Sequence, residues 1–126
     1  VAWQLGHLIA SECQLIEIIR PGGAPELPEG FAERHGRDPE ACADDDASHF
    51  PTKAEYLELY AKVREAGNAA VGSLTEADLD KPNPVEGFAK QFPTIGSVCL
   101  LNAMHPTMHV GQWVPVRREA GKPVVI

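Results

Sequence analysis

One long helical pattern, from Thr94 to about Glu119, most constrains the fold of this chain. Thr94 is a favoured N-cap residue, and Gly121 and Pro123 provide a stop signal after the last turn. About 26 residues at 1.5 Å each give a helix of roughly 39 Å, a length typical of bundle helices. The pattern therefore predicts an all-α fold.

Two further stretches have the same periodicity. The first extends from Val1 to Ile19 and ends at Arg20-Pro21-Gly22-Gly23, a basic residue followed by helix breakers. The second begins at the capping box Thr52-Lys53-Ala54-Glu55 and continues to about Leu74, with one apolar stripe that requires partner helices. Thr75 to Leu79 is predicted to form one more short turn.

A long irregular connection is predicted between the first two helices. Residues 21–51 are rich in Pro, Gly and acidic residues, and only Glu29 to Arg34 favour a short helical turn. A connection of this length often forms a wall or lid of a site. His35, His49 and the acidic run Asp44–Asp46 are expected to be solvated within it.

Bulk composition excludes several classes of protein. A chain of 126 residues is expected to form one domain over residues 1–126. Its net charge of −7 argues against a nucleic acid partner, and it has no apolar run of the roughly 20 residues that cross a membrane. Cys13, Cys42 and Cys99 show no paired spacing, so a reducing cytoplasm is the expected location, with Cys42 at the surface and Cys99 in the core.

A line of polar residues on the last helix indicates a metal site. Asn102, His105, His109 and Gln112 follow one another at spacings of three, four and three residues, so they share one face. Imidazoles at i and i+4 can reach one ion, and His7 in the apolar first segment supplies a third ligand. Three neutral imidazoles suit a divalent ion such as zinc, nickel or iron and leave coordination positions open. Asn102 and Gln112 could orient a ring or a bound water from behind the ligands.

Three functional readings follow from this pattern. The first is a metalloenzyme that activates a thiol or water for attack on a small-molecule substrate, although no glutamate stands between His105 and His109 as it does in thermolysin-like proteases. The second is a non-catalytic metal-binding or ligand-sensing bundle. In the third, the histidines are hydrogen-bonded core residues of a helical oligomer. Trp113 and the apolar flanks of two long helices favour either a homodimer or a face that a further, preceding helix would cover.

Several short motifs, taken in order, resemble the DinB-like superfamily. They are Trp3 to Leu8, Gly30 to Arg34, Thr75 to Leu79 and His105-x-x-x-His109-x-Gly111-Gln112, followed by Arg117 and Gly121. The resemblance implies a four-helix bundle with a divalent metal held by His7, His105 and His109, and a further helix before Val1. Many relatives have a histidine where this chain has Met108. Some relatives resemble transferases that use a low-molecular-weight thiol, and others resemble hydrolases or isomerases.

Overall fold

The computed structural model describes residues 1–43 and 46–123, so Asp44 and Asp45 of the acidic run lie outside the described residues. Across these residues it has helices and no strand, apart from one isolated bridge between Pro82 and Thr94, which confirms the predicted fold class. The helices are α1 (Ala2–Ile19), α2 (Phe31–Arg34), α3 (Pro39–Ala43), α4 (Lys53–Gly72), α5 (Glu76–Leu79), α6 (Glu86–Ala89) and α7 (Ile95–Glu119), with a 3-10 turn at Ala47–His49.

Local capping interactions set the ends of the long helices where the sequence predicts them. The amide of Glu55 donates to Oγ1 of Thr52 at 3.3 Å, while the amide of Thr52 donates to the Glu55 carboxylate at 2.7 Å. Thr94 accepts from the amide of Ser97 at 3.2 Å and begins α7. Gly121 adopts a left-handed φ of 65° just after α7, a conformation that favours glycine.

Helix α1 lies at the centre of the packing, because it contacts both α4 and α7. Ile9 and Ile16 of α1, Val63 of α4 and Val98 of α7 are completely buried. Full burial of such a side chain contributes about 1.5–3 kcal/mol, so this shared core stabilises the association of the three long helices. No helix among the described residues is long and apolar enough to cross a membrane.

A buried polar contact also joins the three long helices. Glu12 of α1 is 3% exposed, and its Oε1 lies 2.9 Å from Nη1 of Arg64 on α4. The Asn102 side chain of α7 hydrogen-bonds with the same carboxyl group. A Cβ atom on Gly67 would lie 2.5 Å from Oε1 of Glu12, so this position of α4 admits only glycine without a shift of the carboxylate.

The connection between α1 and α4 folds back on α1. Phe31 is buried in the core, which anchors the predicted turn as α2. His49 and Cys42 are exposed, and Cys99 packs partly buried against the core, as the sequence predicts. The prediction that His35 is solvated is wrong, since its side chain is among the most deeply buried of those described.

Candidate metal centre

The packing of α1 against α7 brings His7, His105 and His109 together. The three rings are 6%, 9% and 9% exposed, and each offers a nitrogen within 4.8 Å of the others. The Nε2 atoms of His105 and His109 are 3.2 Å apart. Two nitrogens about 2.05 Å from a tetrahedral zinc ion would lie roughly 3.3 Å apart, so this spacing fits two ligands of one ion.

All three imidazoles are held in the neutral form that ligates metals. Burial is the main cause that lowers the pKa of His7 and of His109, and it lowers the pKa of His105 to about 4. The positive charge of Arg37 acts in the same direction on each ring. At neutral pH the rings therefore present lone pairs rather than a cluster of positive charges.

The orientation of His7 is fixed through its Nδ1 atom, while its Nε2 atom lies 3.4 Å from Oγ of Ser11. Its Nδ1–H donates to the backbone carbonyl of His35 at 3.1 Å, which leaves the lone pair on Nε2. The indole of Trp3 stacks on the ring with centroids 5.0 Å apart and planes 12° apart. The Trp3 Nε1–H donates to the carbonyl of Gly36 at 3.2 Å, so two consecutive carbonyls of the connection hold this end of α1.

His35 itself is held by hydrogen bonds at both ring nitrogens. Nδ1–H donates to the Phe31 carbonyl at 2.7 Å, and the Tyr56 hydroxyl donates to Nε2 at 2.7 Å. Its ring lies directly over Gly6, where a Cβ atom would be 2.1 Å from Cδ2 of the ring. Burial lowers the pKa of His35, which keeps the ring neutral and suited to this pair of bonds.

Sequence reasoning missed His35 and Tyr56, and Gly6 was the available signal. A glycine inside a helix costs about 1 kcal/mol relative to alanine, which indicates a close approach by another group. The sequence does not reveal which group approaches, because His35 is 29 residues away along the chain.

The two polar residues predicted behind the ligands have identified neighbours. Asn102 hydrogen-bonds with Glu12. Oε1 of Gln112 accepts from Nε2 of Gln4 at 3.0 Å, and its side chain also favours the protonated form of His109. Nδ1 of His109 is buried without a hydrogen bond of good geometry. Their roles toward a bound ion stay predictions.

A cavity of about 390 Å³ opens beside His7, between α1, the connection and α6. Its walls include Ser11, Gln14, His35, Arg37 and Phe88. Ala32 and residues 35–37 thus form one wall of the cavity, in the manner expected of a long connection. A larger cavity of about 970 Å³, with Phe31 and Tyr56 in its wall, is lined by none of the three clustered histidines.

The cysteines are not part of the histidine cluster, although the thiol of Cys42 hydrogen-bonds with the carbonyl of Gly36 at 3.8 Å. Burial raises the pKa of Cys13 to about 11 and also raises the pKa of Cys99, so both thiols stay protonated. Cys42 is exposed, and none of the three lines the cavity beside His7.

Comparison with known proteins gives one match. A family model described as the DinB superfamily matches residues 1–113, a stretch that contains all three clustered histidines. No curated protein and no solved structure matches the chain.

Proposed function

This chain belongs to the DinB superfamily, and from that premise we propose that His7, His105 and His109 bind a divalent metal ion that activates a thiol or a water for attack on a small electrophile. The observation that carries the proposal is the convergence of three buried, neutral imidazoles within 4.8 Å of one another. An all-nitrogen ligand set favours zinc, nickel or iron over magnesium or calcium, which prefer oxygen ligands.

The residues around the histidines are suited to such a role. A bound divalent ion would lower the pKa of a thiol or water placed beside it. The His35 carbonyl engages Nδ1 of His7, so Nε2 is the nitrogen left to bind an ion, and the cavity beside His7 has room for a second molecule. Because no described cysteine reaches this cavity, a reacting thiol would come from a small molecule and not from the protein.

Metal content tests the binding part of the proposal. Purified wild-type protein should hold close to one zinc ion per chain when metal is supplied, and His105→Gln should hold almost none. His49→Gln is the matched control, because His49 is exposed and lies outside the cluster. Circular dichroism of each variant would show that the helices are retained. Stoichiometric metal in a folded His105→Gln protein would overturn the assignment.

A non-catalytic, metal-dependent ligand-binding role is the second candidate, and one observation favours it. No aspartate or glutamate lines the cavity beside His7, so the described residues place no carboxylate there to act as a base. Zinc-loaded protein should be assayed for thiol transfer and for ester and amide hydrolysis. Turnover that disappears in His109→Ala would support the enzyme, whereas full metal binding without turnover would support the binding protein.

A further inference from the structure

The cavity beside His7 differs in charge from the rest of the chain. The protein has 18 acidic and 11 basic residues, yet the residues that line this cavity include Arg37 and no carboxylate. A neutral or cationic ligand would gain little from such a wall, whereas an anion would be attracted to it. The charge of the cavity therefore selects for negatively charged molecules.

Arg37 is an exposed residue that directly follows two residues held by hydrogen bonds to α1. The carbonyls of the two preceding residues, His35 and Gly36, accept hydrogen bonds from His7 and Trp3. Within residues 1–43 and 46–123 the guanidinium makes no ion pair, so its donors are available to a ligand. The positive charge of Arg37 is also a minor cause of the lowered pKa of each clustered histidine, after burial.

The remaining walls favour an organic anion of modest size. Gln14 adds a side chain that can donate hydrogen bonds, and Phe88 adds an apolar surface. Ser11 adds a hydroxyl group that lies 3.4 Å from Nε2 of His7. A volume of about 390 Å³ is at the lower end of the range for small-molecule sites. A fully hydrated inorganic ion would gain nothing from Phe88, but the carbon chain of a small acid would.

We infer that this cavity binds a small carboxylate, with its oxygens on the guanidinium of Arg37 and its carbon chain directed past Phe88 beside His7. A guanidinium presents two parallel N–H groups that match the two oxygens of a carboxylate. This inference rests on the proposed function, because it names the class of molecule that would be placed next to the metal centre.

Binding of butyrate, with butyramide as its neutral analogue, tests the inference. The dissociation constants would be measured by protein-observed NMR titration with metal-free and zinc-loaded protein. Butyrate should bind more tightly than butyramide, and Arg37→Gln should weaken butyrate roughly tenfold while leaving butyramide unchanged. Arg34→Gln is the matched control, since Arg34 is an exposed arginine of the same segment that does not line this cavity.

Several results would overturn the inference. Equal affinity of the wild type and Arg37→Gln for butyrate would show that the carboxylate does not bind to Arg37. Direct binding of the carboxylate to zinc is one arrangement that would give this result. If inorganic phosphate bound as tightly as butyrate and depended on Arg37 to the same extent, the cavity would be a site for oxyanions in general and not for an organic carboxylate.

Failure of the proposed function has a different signature. Butyrate binding that depends on Arg37 in a protein without stoichiometric zinc would keep the carboxylate site and reject the metal centre. Stoichiometric zinc binding, together with butyrate affinity that Arg37→Gln leaves unchanged, would keep the metal centre and reject the carboxylate site.

Discussion

Substitution of Gly6 by alanine tests how the connection supports the histidine cluster. A Cβ atom at this position would lie 2.1 Å from Cδ2, 2.2 Å from Nε2 and 2.5 Å from Cγ of the His35 ring, and contacts below 3.0 Å essentially never occur. The ring must therefore move. Its movement is opposed, because the ring is 1% exposed and hydrogen-bonded at both nitrogens.

The expected loss of stability follows from three contributions. Alanine is favoured over glycine inside a helix by about 1 kcal/mol, which stabilises α1. Overpacking in a well-packed core costs about 1–3 kcal/mol, and loss of the two hydrogen bonds of His35 costs about 1 kcal/mol each. Together these contributions predict that the free energy of unfolding falls by about 2–4 kcal/mol in Gly6→Ala.

Urea denaturation of wild-type and variant proteins measures this change. Gly111→Ala is the matched control, because Gly111 also lies inside a long helix but has no atom within 4 Å of an added Cβ. The control should be as stable as the wild type or more stable by up to about 1 kcal/mol. Displacement of His35 also moves the carbonyl that holds His7, so zinc affinity of Gly6→Ala should fall about 10–100-fold. A Gly6→Ala protein with wild-type stability and zinc affinity would refute this account of the contact.

Three further perturbations probe the buried polar groups. Tyr56→Phe leaves Nε2 of His35 without its donor and should lower the free energy of unfolding by about 1–3 kcal/mol in urea denaturation, and an unchanged value would contradict the bond. Arg64→Met removes the cation beside Glu12, whose pKa is already raised by burial. Without the cation the pKa of Glu12 should rise further. A carboxyl pKa that is raised in the folded state means that stability is lost as pH increases above about 4.5, so Arg64→Met should be more destabilised at pH 8 than at pH 5 in urea denaturation. A difference from the wild type that does not change with pH would refute the prediction. Burial lowers the pKa of His105 from 6.5 to about 4, so the unfolded chain binds more protons between these values. In the metal-free protein His105 should therefore contribute on the order of 2–3 kcal/mol to the stability lost as pH falls from 6.5 to 4. In urea titrations at several pH values His105→Gln should reduce the dependence by this share, with the lowered pKa values of His7, His35 and His109 accounting for the remainder.

The sequence by itself determined the features that depend on neighbouring residues. Helix ends at Thr52, Thr94 and Gly121 follow from contacts within three or four positions, and the structure confirms them. The shared face of His105 and His109 follows equally from helix geometry, since residues four apart are neighbours on one face. The i, i+4 pair required no knowledge of the rest of the fold.

The face of α7 that turns inward depended on long-range packing. Apolar Met104 and Met108 are 53% and 59% exposed. Three members of the polar line, Asn102, His105 and His109, are buried, and only Gln112 at its end is exposed. A hydrophobicity pattern alone favours the opposite arrangement. The buried line is stable because α1 supplies His7 and Glu12 as neighbours, and the sequence suggested only the first of these.

The supporting contacts of the cluster were decided by the tertiary structure alone. His35 is in a segment whose composition predicts solvent exposure, yet it is buried between Gly6 of α1 and Tyr56 of α4. Arg37, two residues further along, lines the cavity beside His7. Both placements result from the packing of α2 and the residues that follow it against α1, and no local periodicity encodes the path of a connection without long helices.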